Sequence, residues 1–235
     1  GIFRKVLIVF QFSVSVGLII VTIIIYSQIK YFTSYDVGFD KSQVITIRQP
    51  RKVRFEYSTL KEKVLNISGV LGVSRSTSKP GEVRWQESYF DSLGQYHNFS
   101  FQPVDPDYID VMGLELISGR NFDWDRPSDI RETVIVNETL AKMLGIKNAN
   151  GETLNSHYVE STIIGIVKDY NFNSLHSPIG PLALSFRNSS YNMLNISVDV
   201  SNIQSAIDGL SNVWEEYSVE APFEYSFLDD SDDNL

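Results

Sequence analysis

The feature that most constrains this chain is a long apolar segment near its N-terminus. From Val6 to Ile29, 24 residues carry no charged side chain, and 16 of them are Val, Leu, Ile or Phe. A helix of that length reaches ~36 Å, enough to cross a hydrocarbon core of ~30 Å. Core helices of this purity are usually shorter, and the apolar part of a signal peptide runs only ~7 to 15 residues. The segment therefore predicts a transmembrane helix, which occupies residues 1–36 with its flanks.

Charged residues at the two ends of this segment predict its orientation. Arg4 and Lys5 precede the helix, whereas only Lys30 follows it closely. Short basic segments next to a membrane helix are retained in the cytoplasm. We therefore expect the N-terminus to be cytoplasmic and the chain beyond about Tyr35 to lie on the opposite side of the membrane.

Three residues within the segment are candidates for helix packing inside the membrane: Gln11, Ser13 and Gly17. Small residues let a neighbouring helix approach closely, and an amide in lipid favours a polar partner. The alternative is that these residues are merely tolerated in a helix that contacts only lipid. Both interpretations stay open at this point.

The part of the chain that follows the helix is strongly acidic. The chain has 20 Lys and Arg against 29 Asp and Glu, and removing Arg4, Lys5 and Lys30 leaves 17 − 29 = −12. This charge argues against nucleic acid as a partner and repels anionic lipid headgroups. The absence of cysteine excludes disulfides and cysteine-ligated metals. We expect a domain that stands in solvent.

A pattern of strand, helix and strand opens this domain. A β-branched run predicts a strand at 43–48, and apolar residues at helical period follow it. Thr59 and Glu62 have the spacing of a capping box and predict the start of that helix. A second strand is predicted at 70–76. The pattern indicates a β-α-β unit or a split version of one.

A matching pattern closes the chain. Apolar and polar residues alternate over 193–200, which is typical of a half-buried strand. An amphipathic helix follows over 203–217, with Ser201 as its candidate N-cap. A last strand is predicted at 223–228. Two β-α-β units thus bracket the middle of the domain.

The intervening region, residues 81–180, has a different pattern and is predicted to be an inserted subdomain. Residues 87–101 alternate aromatic side chains around a loop that contains glycine, which predicts a hairpin. Asp105 and Asn137 are candidate N-caps of two short helices. The whole pattern predicts an α+β fold behind an N-terminal transmembrane helix.

Five aromatic residues in and beside the hairpin are the candidates for contact with a partner: Trp85, Tyr89, Phe90, Phe99 and Phe101. Aromatic side chains contribute strongly to interfaces, but aromatic residues at period 2 in a strand usually face a core. We expect about half of the five to be ordinary core residues.

Residue types that support catalysis or metal binding do not form a recognisable site. The three histidines, His97, His157 and His176, lack the i, i+4 spacing of a metal motif, and the Ser174 and Asp169 near His176 lack a G-x-S-x-G turn. There is no Walker A loop, and the acidic C-terminus lacks the glycine and the distal glutamate of an EF-hand. We expect neither catalytic residues nor a metal or cofactor in this chain.

Six segments, in order along the chain, carry a family resemblance. They are FRKVLIVFQFSVSVGLII, YDVGFDKSQVI, ISGRNF, ETVIVNETLAKMLGI, IIGIVKDYNFNSLHSPIGPL and PFEYSFLDD. Together they resemble the MacB/FtsX-like permeases of ABC transporters. More narrowly, they are similar to the long permeases of Bacteroidetes, and the opening segment is similar to the start of their second half. The stretch Asn148-Ala149-Asn150-Gly151 departs from the Asn-Pro-hydrophobic-Gly common in the family.

The resemblance implies a fold and a function. It implies a periplasmic core with a porter-like part, residues 37–80 and 181–235, and a sabre-like inserted part, residues 81–180. In such transporters a separate cytoplasmic ATPase binds ATP, and the membrane helices carry its motion outward to a substrate or partner, a scheme called mechanotransmission. The implied location is the bacterial cytoplasmic membrane, with the main domain periplasmic.

The implied partners are the ATPase, membrane lipid, a second permease half or protomer, and a periplasmic adaptor protein. Because such permeases have further membrane helices, this sequence is expected to be a fragment of a longer chain. The alternative interpretation is a ligand-sensing extracytoplasmic domain of a membrane-tethered receptor. An anchored surface enzyme is a third possibility, but no group of nucleophile, base and oxyanion donors supports it.

Overall fold

The computed structural model describes residues 1–33, 44–49, 56–90, 95–156, 160–173, 178–187, 191–217 and 222–228. The chain divides into two compact units, Gly1–Asp36 and Val37–Leu235. His157, His176, Ser174, the predicted hairpin loop at 91–94 and the acidic C-terminus lie outside the described residues.

The first unit contains helix α1, Ile2–Thr33. Its span Ile2–Ser27 has 26 residues, is apolar and long enough to cross a membrane, and is not buried within the protein. Two hydroxyl groups in this span are bonded inside the helix: Ser15 Oγ donates to the Gln11 carbonyl at 3.0 Å and Thr22 Oγ1 to that of Leu18 at 2.8 Å. Such bonds lower the cost of a hydroxyl in lipid. The packing role of Gln11, Ser13 and Gly17 stays a prediction.

The second unit contains eleven strands and four α-helices among its described residues. In chain order they are β1 (Val44–Arg48), α2 (Tyr57–Leu65), β2 (Val70–Ser76), β3 (Gln86–Phe90), β4 (Tyr96–Val104), α3 (Tyr108–Val111), β5 (Leu116–Gly119), β6 (Thr133–Asn137), α4 (Glu138–Met143), β7 (Thr153–Asn155), β8 (Glu160–Val167), β9 (Leu182–Phe186), β10 (Met193–Val198), α5 (Ile203–Tyr217) and β11 (Tyr225–Phe227).

These strands form one mixed sheet. Its order is β11-β1-β10-β2-β4-β9-β6-β8-β5, with β3 paired to β4 and β7 paired to β8. The pairs β4–β9 and β6–β8 are parallel, and the other strand pairs are antiparallel. Strand β10 lies between β1 and β2, so that Ile196 is opposite both Ile45 and Val73. The two β-α-β patterns therefore interleave on one side of the sheet.

Helices α2 and α5 cover one face of the strands β1, β10 and β2. The buried side chains that join them include Ile45, Ile47, Leu60, Val64, Val73, Leu194, Ile196, Leu210 and Trp214. Gly209 allows α5 to approach closely, because a Cβ at this position would overlap the side chain of Ile67. Removing this apolar surface from water is the main stabilising contribution here.

The strands β6 and β9 are buried on both faces of the sheet. Side chains alternate along a strand, and Ile135 and Leu184 belong to one apolar cluster whereas Val134 and Ala183 belong to another. The first cluster contains Tyr108 and Tyr170, and the second contains Leu140 of α4. This part of the sheet is therefore the centre of the core.

Three predicted helix caps differ from the structure. The start of α2 is Glu56, without a side-chain cap, so the Thr59–Glu62 capping box is wrong. Helix α3 begins at Tyr108 after Asp107, so Asp105 is not its cap. Ser201 is also not a cap: it lies in a 3₁₀ turn, Val200–Asn202, where its amide donates to the Asp199 carboxylate at 2.9 Å.

The predicted cap at Asn137 is confirmed, and this side chain also ties three segments together. Its Oδ1 accepts from the amides of Leu140 at 3.0 Å and Leu182 at 2.8 Å. Its Nδ2 donates to Asp169 Oδ1 at 2.7 Å and to the Gly180 carbonyl at 2.9 Å. Asn137 is fully buried, so each of these groups needs its partner.

We predict that Asn137→Ala lowers the free energy of unfolding by about 2 to 4 kcal/mol, because it removes a helix cap and leaves buried amides unpaired. The matched control is Asn148→Ala, an exposed asparagine, which should change it by less than ~0.5 kcal/mol. Urea unfolding of the full chain in detergent, followed by tryptophan fluorescence, measures both. Equal values for the two variants would contradict a structural role of the Asn137 side chain.

Candidate functional site

The two sides of the sheet meet at a narrow contact between β2 and β4, which we call the seam and define as Arg75–Thr77 and Pro103–Asp105. Only Ser76 and Val104 form a register pair there. The amide of Thr77 donates to the Pro103 carbonyl at 3.0 Å, and the amide of Asp105 donates to the Arg75 carbonyl at 3.0 Å. Because so few backbone bonds cross the seam, side chains around it determine how firmly the two sides are joined.

Arg75 lies between two aromatic rings at the seam. Its guanidinium carbon is 3.5 Å from the ring centroid of Tyr57 on α2 and 4.5 Å from that of Tyr191, just before β10. Only 8% of Arg75 is exposed. Cation–π contacts become stronger when the cation is desolvated. Arg75 therefore joins α2, β2 and the chain before β10.

Asp105 is the buried counter-charge of Arg75. Tyr57 Oη donates to Asp105 Oδ2 at 3.0 Å, and Arg75 Nε is 3.6 Å from the same oxygen. Asp105 is 0% exposed, and its Oδ1 and the Arg75 Nε have no hydrogen-bond partner among the described residues. The ion pair is thus incompletely satisfied by hydrogen bonds, which makes its burial costly.

Burial raises the pKa of Asp105 to about 7. The negative charge of Asp107 adds to this rise, whereas Arg75 and the hydrogen bond from Tyr57 oppose it. Burial outweighs the charge of Arg75 because the ion pair is long and the carboxylate is out of contact with water. Asp105 therefore changes its protonation near neutral pH.

The two tyrosines of the seam stay neutral. Burial is the main cause that raises the pKa of Tyr57 and of Tyr191 well above the usual tyrosine value, and the charge of Asp105 adds to both shifts. Each phenol is thus a fixed donor. Tyr191 Oη donates to the carbonyl of Val104 at 2.9 Å, so its ring is held against the seam.

A second, more exposed layer extends from the seam through Asp107. Lys61 Nζ of α2 is 2.6 Å from Asp107 Oδ2, and Trp124 Nε1 donates to the same oxygen at 2.9 Å. The Trp124 ring packs edge-on against Phe186 of β9, with centroids 5.3 Å apart. This layer links α2 to β9, which lie on opposite sides of the seam.

The five aromatic residues predicted to contact a partner lie in different environments. Tyr89, Phe99 and Phe101 are buried in the apolar cluster next to α4, at 6%, 1% and 6% exposure. Trp85 and Phe90 are exposed by 39% and 58%. Of the five, therefore, only Trp85 and Phe90 present an aromatic surface to a partner, and their contact role stays a prediction.

Some residues of the hairpin and of the seam were not predicted from the sequence. Tyr96 is 58% exposed and packs edge-on against Phe90 across the hairpin, with centroids 5.2 Å apart. At the seam, Arg75 was not predicted and Asp105 was assigned to a cap. The charge of Arg75 within the predicted strand at 70–76 was the available signal, but its partner Asp105 is 30 residues away.

Other side chains considered for chemistry have structural contacts. Asp169 accepts from Thr139 Oγ1 at 2.7 Å and from the Thr139 amide at 3.0 Å, in the same network as Asn137. His97 stacks on Tyr89 at 5.2 Å between ring centroids. Over the described residues, no three His, Cys, Asp or Glu side chains are placed to hold a metal ion. These side chains therefore join segments of the domain.

Comparison with known proteins gives one family match. The family described as the MacB-like periplasmic core domain matches residues 7–211. No curated protein matches the sequence.

Solved structures show the same fold. The periplasmic region of MacB from Actinobacillus actinomycetemcomitans is similar with a TM-score of 0.58 and 16% identity, over 84% of this chain and 94% of that one. The extracellular domain of the noncanonic ABC-type transporter YknZ from Gram-positive bacteria gives 0.55 and 14%, over 79% and 98%. The α+β fold class and the resemblance to MacB/FtsX-like permeases are confirmed, whereas the narrower likeness to the second half of the Bacteroidetes permeases and the boundaries of the porter-like and sabre-like parts stay predictions.

We predict a pH-dependent difference in stability between the wild type and Asp105→Asn. The folded wild type holds a proton on Asp105 up to about pH 7, whereas the unfolded chain releases it near pH ~4. Between these values the folded state binds more protons, so this group makes the free energy of unfolding fall as pH rises. The variant lacks that fall.

The measurement is urea unfolding of both full chains between pH 4 and pH 8. The free energy of unfolding of the variant minus that of the wild type should increase as pH rises, by a total on the order of 4 kcal/mol. Asp110→Asn, at an exposed aspartate of α3, is the matched control. If this difference decreases as pH rises, the charge of Arg75 outweighs burial and Asp105 is ionised in the folded protein.

Proposed function

Because the chain belongs to the family of the MacB-like periplasmic core domain, we propose that it is the extracytoplasmic domain and first membrane helix of an ABC transporter permease subunit. The observation that carries this proposal is the extent of the match. Residues 7–211 include the apolar span of α1 and strands from both sides of the sheet. The membrane helix and the domain are thus parts of one known unit.

The permease is proposed to act by mechanotransmission. A separate cytoplasmic ATPase binds and hydrolyses ATP, and the membrane helices carry its movement to the outer domain. There the domain handles a substrate or partner protein outside the membrane. No residue of this chain takes part in a chemical step, and ATP is bound only by the ATPase.

The seam is the part of the outer domain best suited to respond to such a movement. One register pair crosses it, and the Arg75–Asp105 ion pair is not fully hydrogen-bonded. Elements with few stabilising bonds are those that open or shift at the lowest cost. We infer that the two sides of the sheet change their relative position at the seam during the transport cycle.

The proposed location is the bacterial cytoplasmic membrane, with the N-terminus cytoplasmic and the main domain periplasmic. The proposed partners are the ATPase, a second permease half or protomer, and a periplasmic adaptor protein. The receptor interpretation shares this topology, and no observation described above favours it over the permease.

We predict that a cysteine at Asn148 is labelled from outside the membrane and one at Ile2 is not. These 235 residues contain no cysteine, so each single variant in this chain reports one position, and both residues are exposed. Spheroplasts are treated with a membrane-impermeant maleimide, and a lysed sample serves as the control in which both cysteines react. Labelling of Ile2→Cys but not of Asn148→Cys in spheroplasts would contradict the proposed topology and indicate the opposite orientation.

We also predict that a cytoplasmic ABC ATPase from the same organism co-purifies with the full-length permease and that the seam affects its rate of ATP hydrolysis. Tyr191→Phe removes the bond to Val104 while it keeps the ring over Arg75. In nanodiscs, this variant should change the permease-dependent rate of ATP hydrolysis by about twofold or more. Tyr225→Phe, a partly exposed tyrosine of β11, is the control and should behave as the wild type. An ATPase that neither co-purifies nor responds to the permease contradicts the proposal.

A further inference from the structure

Arg187 follows strand β9 and lies over two aromatic rings. Its guanidinium carbon is 5.0 Å from the ring centroid of Phe101 and 5.5 Å from that of Trp85. The two rings pack edge-on, with centroids 5.2 Å apart. Phe101 is buried and Trp85 is 39% exposed. The arginine thus lies on an aromatic platform whose outer part is open to solvent.

The positive charge of Arg187 is half-buried. None of the ion pairs among the described residues includes Arg187, and its buried Nε has no hydrogen-bond partner there. Glu87 is the acidic residue whose charge raises the pKa of Arg187. Glu87 is itself buried, and its Oε1 accepts a hydrogen bond from Trp85 Nε1 at 3.0 Å. A buried charge without such a partner is unfavourable.

A second arginine lies beside this platform. The amide of Arg131 donates to the carbonyl of Phe186, the residue before Arg187, at 2.9 Å. Arg131 has a φ of 70°, a left-handed conformation that costs a residue with a side chain about 1 kcal/mol or more. Burial, followed by the positive charge of Arg131, lowers the pKa of Arg187. A bound anion would offset both the cost of removing the Arg187 charge from water and its repulsion by Arg131.

We propose that Arg187, Arg131 and the exposed part of Trp85 form a binding site for a carboxylate group on an acidic segment of a partner protein. The proposal rests on the proposed function in one respect, that this face of the outer domain meets another protein. The segment contributes an Asp or Glu side chain that pairs with the guanidinium groups while its neighbouring residues cover Trp85.

The chemistry of the platform favours a carboxylate on a protein over a phosphate on a membrane. A guanidinium binds a planar carboxylate through two parallel hydrogen bonds, and arginine and tryptophan are the residues that contribute most at protein interfaces. The part of the chain after the helix carries 17 − 29 = −12, which repels any anionic ligand but opposes an extended anionic lipid surface more than a single carboxylate that docks beside two arginines. Acidic residues outnumber basic ones on this domain, so two neighbouring arginines form a distinct site.

The test measures binding of a fluorescent hexaglutamate peptide to the full chain in detergent by anisotropy. The wild type should bind it saturably, and Arg187→Gln and Arg131→Gln should each weaken binding roughly tenfold. Arg187→Lys keeps the charge but loses the planar group, so its affinity for the peptide should lie between that of the wild type and that of Arg187→Gln. Arg126→Gln removes the same charge from an exposed arginine elsewhere and should bind as the wild type. Added salt should weaken the wild-type interaction.

Several outcomes would overturn the proposal. They are the absence of saturable binding, equal binding of a hexaglutamine peptide, equal binding by the wild type and Arg131→Gln, and binding of inorganic phosphate in place of the peptide. The last result would indicate a phosphate site. If Arg187→Gln proves unfolded by circular dichroism, the exposed Arg131 variant decides the question. The assay involves no ATPase, so a failure here leaves the transport proposal standing, and a failure of transport leaves this site standing.

Discussion

The outer domain depends on a buried cation held between two tyrosine rings. The sheet is nearly divided at the contact of β2 with β4, where one register pair continues it. Arg75 reaches from β2 to Tyr57 and Tyr191, and its counter-charge Asp105 follows β4. Without this cluster, the two sides would be held together by a few backbone hydrogen bonds and by the apolar cluster that contains Val44 of β1 as well as Leu184 and Phe186 of β9. An incompletely bonded ion pair at this position joins them while keeping the cost of separating them low.

Local patterns in the sequence were sufficient to locate most of the secondary structure. The predicted strand at 70–76 coincides with β2, because its periodicity and the glycine before it are local signals. Asn137 was recognised as a cap for the same reason, since its bond to the Leu140 amide spans three residues. The pattern of strands and helices predicted the α+β class, whereas the family resemblance supplied the MacB-like periplasmic core, which periodicity alone could not have done.

The seam could not be predicted, because the contacts that build it are distant in sequence. Asp105 is a good cap by residue type, but its carboxylate is withdrawn into the core by Tyr57, 48 residues earlier. The Arg187 platform likewise combines β9 with the first residues of the hairpin region. The capping-box prediction at Thr59 and Glu62 failed for a local reason. These two residues have the spacing of a cap, but they lie inside α2, which begins at Tyr57. Residue types indicated local roles, and only the strand order showed which of those roles were replaced by distant partners.

The position of β10 has a consequence for how the protein is made. It fills the gap between β1 and β2, yet Ile196 leaves the ribosome 151 residues after its neighbour Ile45. Until then β1 and β2 have no strand between them, and their facing edges are unpaired. Unpaired strand edges are prone to aggregate, so a chaperone that covers them would be most useful while the chain is still being made. The sheet can close on this side only when β10 has arrived.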